Sequence, residues 1–541
     1  MQFQITLPFV HTEAELNHAV SQRLGTGSAY RVLKRSIDAR QHWNIKVEYS
    51  ISSDTDDPAD EIRAQIRRKS AQLEEHFADA TRPAPVVVGS GPGGLFCALW
   101  LHLHGFSPVL LEQGPPMRER VRDMARFMKR GELDPYSNIC FGAGGAGTYS
   151  DGKLITRIRS PYIAFVMATF VEYGAPEDIR TTYNPHLGSN LIRQCITRLI
   201  DALSLRGVDV RYNTRLHDFQ SSPAGAITHL LLQNTRSARG GTDDEMLLDV
   251  RAGLFLACGH SSRETYALLR AKRVEMEAKD FAVGVRVEHP ARAINEMQYG
   301  AAYEEKYPGI ETAQYKLAKT WKDEDRAVYS FCMCPGGYVL NASTGTDGVV
   351  TNGMSNHLKT GRFSNAAMVV NVSRSDLARL GYDGPDASLL FQREIEERFR
   401  AACNTQGRSN IVPAQRLGDF LGGSASASTL PTSCLNPVAP VPIHALLPAF
   451  ILDALRQGFP VFDRKMRGFA SHEHAQVFGA ETRTSSPYRI LRDATLLNSP
   501  THLNLYPVGE GAGYAGGITS AAVDGIRCAQ AWIGKFIETN C

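Results

Sequence analysis

The sequence predicts an α/β protein of three units. A small N-terminal α/β domain with its linker helix covers residues 1–82, a discontinuous Rossmann-like domain covers 83–279 and 464–541, and an α+β domain is inserted over 280–463. Three observations predict this. Residues 86–114, VVVGSGPGGLFCALWLHLHGFSPVLLEQG, pass from an apolar strand through Gly89-x-Gly91-x-x-Gly94 and a helical pattern to a second strand ending on Glu112. The chain returns to a strand–glycine–helix pattern near its end, in NLYPVGEGAGYAGGITSAAVDGIRCAQAWI. Between the two lie alternating strands such as FAVGVRVE (281–288), whose period of two implies a strand with one wet face.

The N-terminal unit reads as strand Gln2–Leu7, a helix from Thr12 to Leu24 opened by a Thr12-x-x-Glu15 capping box, and strands near 30–38 and 43–51. The acidic connector SSDTDDPAD leads to a charged helix expected over 61–78. Lys34, Arg35, Arg40 and Lys46 belong to a unit whose 11 Lys/Arg are offset by 12 Asp/Glu, so they read as a solvated surface. Further on, a helix is expected over 188–206, strands at 207–216 and 249–259, a hairpin turning at Asp347-Gly348, and a helix over 386–402.

Composition bounds the rest. The 541 residues are too many for one core. Hydrophobic residues at 43% and charged residues at 21% are those of a globular protein, and the net charge of +3 gives no field suited to nucleic acid or a membrane surface. The ten cysteines include no CxxC pair, which argues against a zinc site or a paired-thiol redox centre. His472-x-His474 has no further ligands nearby, so no metal is expected. With no secretory pattern at the start, no bilayer-spanning stretch and free thiols, a cytoplasmic location is expected.

The first glycine motif answers the needs of an adenine dinucleotide. Gly89 permits the turn out of the strand, Gly91 lets a pyrophosphate approach the backbone, and Gly94 lets the helix pack on the sheet, with Gly93 in the same turn. The helix N-terminus offers unpaired N–H groups to phosphate. Glu112, with Gln113 beside it, follows at close to the roughly 20-residue spacing of a ribose-binding acid. Two other stretches match the same pattern. Gly142-x-Gly144-x-x-Gly147 is followed by polar residues, so Gly144, Gly145 and Thr148 read as a cofactor-wrapping loop. Gly511-x-Gly513-x-x-Gly516 precedes a helix but has too little chain after it for a second βαβ unit.

The C-terminal stretch is similar to flavoproteins related to glutathione reductase, in which a late strand ends in Gly-Asp beside the flavin ribityl chain and the next helix points at the flavin ring. Here Gly509-Glu510 takes that place, and the helix begins near Gly517-Ile518. Helix-end N–H groups suit the negative charge of a reduced flavin ring. Ala257-Cys258-Gly259 closes a strand where those proteins carry Ala-Thr-Gly, and Ser261-x-x-Glu264 announces a capping box after it. The resident cofactor implied is FAD.

GGAGTYSDGKL (144–154), FCMCPGGYV (331–339), TNGMSN (351–356), ETRTSSPYR (481–489) and YPVGEGAGYAGGITSAAVDG (506–525) together resemble the uncharacterised bacterial FAD-dependent dehydrogenase family. More distantly, the chain is similar to the flavoprotein that helps modify the wobble uridine of tRNA. The resemblance implies a bound FAD and a redox reaction on an unidentified small-molecule substrate, with NAD(P)H as a candidate transient donor.

Catalytic candidates are Cys332 and Cys334, which flank Met333 before a Pro-Gly-Gly turn, and Arg483, set among threonines and serines as an anion ligand. Two buried strand cysteines, or a loop network locking the domains, are the plainer alternatives for these residues. Lys153 and Arg489 are candidates for phosphate or substrate; Arg118 and Arg120 either bind the adenine side or begin an exposed helix. Alternatives to a hydride-moving oxidoreductase are an RNA-associated flavoprotein that uses its N-terminal unit for binding, against which the low net charge speaks, and a flavin monooxygenase. Oligomeric state is left open.

Overall fold

The computed structural model describes residues 1–76, 83–236, 245–403, 409–471 and 473–540. Its centre is a five-stranded, wholly parallel sheet in the order Leu505–Pro507, Leu254–Leu256, Val86–Val88, Val109–Leu111, Asp209–Arg211. The strand from the C-terminal region lies at one edge, so the domain is discontinuous.

Alternation along these short strands decides what each face meets. Val87, Leu110, Phe255 and Tyr506 point into a core made with helices Pro92–Leu103, Tyr162–Glu172, Gly188–Leu205 and Ile518–Asn540. Val86, Val88, Val109, Leu111, Leu254 and Leu256 point the other way, onto Phe219, Leu230 and Leu232 of an antiparallel meander (Thr214–Ser221, Ile227–Asn234, Glu245–Asp249). Both faces of Val86–Val88, Val109–Leu111 and Leu254–Leu256 are buried, which is why these strands read as unbroken apolar runs.

The inserted domain is a seven-stranded sheet in the order Ala318–Trp321, Arg326–Cys334, Phe363–Val372, Phe281–Pro290, Gln476–Glu481, Val412–Arg416, Val438–Pro440. It is antiparallel except for its last pair. Because Gln476–Glu481 pairs inside it, the insert extends beyond residue 463, and the expected boundary there is too early. Helices Ala387–Ala402 and Ala449–Lys465 supply much of its core. Gly337–Asn341 and Thr351–Ser355 form the expected hairpin, with Asp347-Gly348 in its connection.

Phe281–Pro290 has no wet face. Val283, Val285 and Val287 enter the main core, while Arg286 and Glu288 on the opposite side are also buried. The hairpin covers that side: a Cβ at Gly353 would stand 2.5 Å from the Arg286 guanidinium. Polar residues there mark a buried network rather than solvent.

The N-terminal unit is a three-stranded antiparallel sheet, Gln2–Pro8, Lys46–Ser52, Arg31–Asp38, packed on helix Glu13–Leu24. Thr12 and Glu15 form the capping box in full. The linker helix begins earlier than expected, at Pro58, a residue that suits a first helical position. Residues 77 and 78 of its expected span lie outside the described residues. The unit docks on both other parts of the chain: Arg35 N–H donates to Thr181 O at 2.7 Å, and the Tyr307 hydroxyl donates to His42 O at 3.0 Å.

No helix among the described residues is long and apolar enough to cross a membrane.

Candidate functional site

The C-terminal ends of the parallel strands carry the expected segments, and the fold brings them together. Val86–Val88 runs into Gly89 at φ +103, and a Cβ at Gly94 would stand 1.9 Å from Gly89 O, so helix Pro92–Leu103 rests directly on the turn. A Cβ at Gly93 would meet Val508 of the neighbouring turn at 3.2 Å. Gly91, in contrast, has ordinary backbone angles (φ −67, ψ 175), and a Cβ added there meets nothing within 4 Å. A Cβ added at Gly259 (φ +73), Gly516 or Gly517 likewise meets nothing within 4 Å, whereas Gly511 lies against Gly259 O. These bare backbone surfaces, at the start of two helices and at a strand end, form a cradle that a side chain would fill. It fits the pyrophosphate and ring of a dinucleotide. The C-terminal helix begins at Ile518, as expected.

Gly144, Gly145 and Thr148 lie in a loop closing over this turn. Gly144 N–H donates to Ser90 Oγ at 3.1 Å, Gly145 sits 3.1 Å from Gly91 Cα measured from an added Cβ, and Gly147 packs against Ile518. The loop continues into a 3-10 turn, Ala146–Tyr149, not a Rossmann helix. Thr148 serves the loop itself, with its hydroxyl donating to Gly145 O at 2.9 Å.

Arg120 organises that loop, and here the expectation of a ligand or of an exposed helix start is corrected. Its side chain lies on the buried stripe of helix Met117–Arg130 with Met124 and Phe127. The guanidinium donates to carbonyls of Asn138, Ile139, Gly142, Ala143 and Gly145 at 2.7–3.2 Å and to Thr148 Oγ1 at 2.8 Å. The signal was an arginine at the spacing of the apolar residues.

Glu112 is buried and accepts four bonds, from Ser90 N–H and Oγ on one oxygen and from Gly114 and Gly142 N–H on the other. It ties the first turn to the wrapping loop, a role that the ribose-acid expectation did not include. Gln113 presents its carbonyl to the Thr235 hydroxyl at 2.8 Å. Cys258 holds a thiol that burial pushes up to about 12, and its carbonyl accepts from Ser262 Oγ. The expected Ser261–Glu264 box does not form: Ser262 is the N-cap residue, without a side-chain cap bond, and Glu264 pairs with Arg215.

The Gly509-Glu510 turn is held from below. Asp524, in the C-terminal helix, accepts Gly509 N–H at 2.7 Å and a two-pronged contact from Arg492, which also donates to Pro507 O. Both side chains are buried, and sequence reasoning missed the pair because 32 residues separate them. Glu510 itself stands 3.5 Å from His260 Nδ1.

The catalytic candidates part company. Arg483 grips buried Glu396 with two nitrogens at 2.9 and 3.1 Å, and Arg263 shares the same carboxylate. Against the burial that would raise it, these cations hold Glu396 below the usual carboxyl range. Arg483 is therefore tied to Glu396 within the insert rather than a free anion ligand, and Arg263 joins that carboxylate to the Rossmann-like domain. Arg489 pairs loosely with Glu277 at 3.6 Å.

Cys332 and Cys334 are both free thiols on a bulged strand. Cys334 is buried and directs its Sγ at Cys332 O at 3.3 Å, which leaves no paired-thiol geometry. Cys332 takes φ +44, and its side chain is reachable from solvent on one side. Protein encloses it otherwise and pushes the thiol up to about 11, against the pull of Lys153 and Arg286.

Lys153 meets that bulge by donating to Met333 O, and pairs with buried Asp151 at 3.4 Å. Asp151 accepts from Ser355 of the hairpin and lies 3.3 Å from His186 Nε2. Burial alone would raise the Asp151 carboxyl, but Lys153, His186 and Ser355 hold it well below the ordinary range. Beneath the bulge, Arg286 donates to Glu481 at 2.8 and 3.0 Å and to Asn365 at 2.9 Å. A polar seam thus runs between the wrapping loop and the inserted sheet, next to the cradle. His472 lies outside the described residues, and among those residues no group of three or more His, Cys, Asp or Glu could hold a metal ion.

Comparison with known proteins agrees with this geometry. The family model described as "FAD-dependent protein, C-terminal domain-like" matches residues 280–484, and one described as "Domain of unknown function" matches 1–53. The first match covers the inserted sheet with Gln476–Glu481 included. Among solved structures, those of CtdE in complex with FAD (9% identity, 84% of this chain and 88% of that chain, TM-score 0.32) and of the myxobacterial chondrochloren halogenase CndH (14%, 57% and 56%, TM-score 0.29) are similar only at a level too low to carry an argument. A protein of Clostridium beijerinckii called "Uncharacterized protein" is 36% identical over 526 residues, covering 93% of this chain and 92% of its own length. With that relative spanning nearly the whole chain, and with the FAD-dependent C-terminal domain in place, the chain belongs to the uncharacterised FAD-dependent flavoprotein family.

Proposed function

We propose that the protein is an FAD-dependent oxidoreductase that moves hydride through flavin N5 between a small organic substrate and either NAD(P)H or a partner. The observation that carries this is the convergence of Gly91, Gly259 and the start of the C-terminal helix on one cradle, with the insert's bulged strand beside its ring end. FAD bound there supplies the two-electron chemistry; the chain binds, orients and shields.

Each residue then has a task. The first turn of Pro92–Leu103 faces the pyrophosphate, and the N-terminus of Ile518–Asn540 places its N–H groups toward the ring, where they favour negative charge. Arg120 and Glu112 hold the wrapping loop against the first turn. Arg263, through Glu396, fixes the insert relative to the cradle. The large sheet of the insert is antiparallel over most of its width, so it supports no second Rossmann site, and NAD(P)H would bind only in passing over the ring. Anaerobic stopped-flow mixing with NADH and NADPH tests the donor. Rapid bleaching of the flavin band by either supports the nicotinamide branch, and no reduction by either removes it.

A further inference from the structure

Lys153 stands where three parts of the chain meet. The 152–154 segment pairs with 185–187 through Leu187 N–H to Gly152 O and Leu154 N–H to Pro185 O. Leu154 O accepts the Thr519 hydroxyl at 2.7 Å, in the first turn of the C-terminal helix. The ammonium reaches across to Met333 O in the bulge of the insert. The position is therefore fixed beside the ring end of the cradle from one side and beside the insert from the other.

An ammonium has three donors. Met333 O takes one, Asp151 is held as an ion pair at 3.4 Å, and among the described residues no other acceptor meets the ammonium. The side chain is 24% exposed, so a ligand can reach it. Cys332, one residue from Met333, is an exposed residue with a free thiol. Burial opposes the charge on Lys153, but Asp151 raises its pKa, so the site keeps its proton.

Charge then selects the ligand. Lys153 is balanced by Asp151, and Arg286 by Glu481, so the charged pairs of the seam cancel. An anionic ligand would bring an unbalanced charge into an enclosed site, which is costly. A neutral carbonyl oxygen brings none and receives a charge-assisted hydrogen bond. Resting on the flavoprotein reading above, we propose that Lys153 binds the carbonyl oxygen of an uncharged organic substrate at this seam, with the Cys332 thiol beside it. Held by Asp151, the ammonium stabilises negative charge on that oxygen without reorienting.

Benzamide and benzoate, alike in shape and different in charge, test this on the full-length FAD-loaded protein, with the visible flavin spectrum as reporter. Benzamide perturbs the band saturably, and benzoate binds at least ~10-fold more weakly. Lys153→Met weakens benzamide by about 10-fold or more, the size of a lost charged hydrogen bond, and Lys153→Arg restores part of it. Because methionine leaves Asp151 buried without its partner, the double variant Asp151→Asn/Lys153→Met is measured beside it with the same expected loss. Benzamide also slows maleimide alkylation of Cys332, read by mass spectrometry. Benzoate binding as tightly as benzamide, unchanged benzamide affinity in both lysine variants, or no response to benzamide overturns the proposal. Yellow protein that ignores benzamide contradicts this inference alone; colourless protein contradicts the flavoprotein reading beneath it.

Discussion

Gly509 N–H donates to Oδ2 of Asp524 across 2.7 Å. The contact ties the turn carrying Glu510 to the second turn of the C-terminal helix, so the two structures expected to face the flavin are one rigid piece. Arg492 completes it from the other side at 2.6 Å. Replacing Asp524 by alanine leaves the buried guanidinium unpaired, a change that costs about 3–5 kcal/mol. Urea unfolding is expected to show that loss, accompanied by reduced FAD retention. Stability within experimental error of wild type would show that the pair does not hold the turn.

Arg120 makes the same kind of prediction for the wrapping loop. Arg120→Leu keeps the apolar packing of the helix stripe but withdraws donors from five carbonyls and Thr148. Buried groups left unpaired cost about 1–3 kcal/mol each, so a total loss above ~3 kcal/mol is expected. Arg120→Lys does not rescue it, because one ammonium cannot span the fork. Chemical denaturation of both variants checks the magnitude and the failure of rescue.

Two alanine substitutions in the first turn separate binding from folding. Gly91→Ala adds a methyl where no protein atom stands within 4 Å, so stability falls by no more than about 1 kcal/mol. FAD affinity falls by roughly 10-fold or more, because the methyl stands where the pyrophosphate approaches. Gly94→Ala drives a methyl into Gly89 O, 1.9 Å away, and destabilises the fold itself by roughly 1–3 kcal/mol or more. Calorimetry of the two variants with and without FAD distinguishes the effects.

These contrasts also mark how far the sequence could be read. The Gly89–Gly94 turn was legible because its strand, glycines, helix and second strand are contiguous. The Thr12–Glu15 box was legible for the same reason. Arg120 and the Arg492–Asp524 pair were not: each depends on partners that only the folded chain brings near. The supposed wet face of Phe281–Pro290 was misjudged because a polar residue on a strand looks the same whether water or another chain segment covers it. Arg286 meets Glu481 from a strand far along the chain, and the Thr351–Ser355 hairpin closes over both. The insert boundary failed similarly, since nothing local to Gln476–Glu481 says which sheet receives it. Ser261–Glu264 matched a capping pattern, yet Arg215 claims the glutamate.

Glu288 gives a pH signature. Burial raises its carboxyl pKa, against the opposing bonds from Ser433, Thr432 and Gln476. The folded state therefore binds more protons than the unfolded one, and stability declines as pH rises from the ordinary carboxyl range through the raised value. Urea midpoints across that range are expected to fall in wild type. Glu288→Gln removes that part of the slope; an unchanged slope would assign the pH dependence to other groups.

The FAD content of the full-length protein tests the central claim most directly. The absorbance of released flavin against protein concentration is expected to give one FAD per chain, retained through purification or regained on reconstitution. Colourless protein that takes up no FAD would contradict the account.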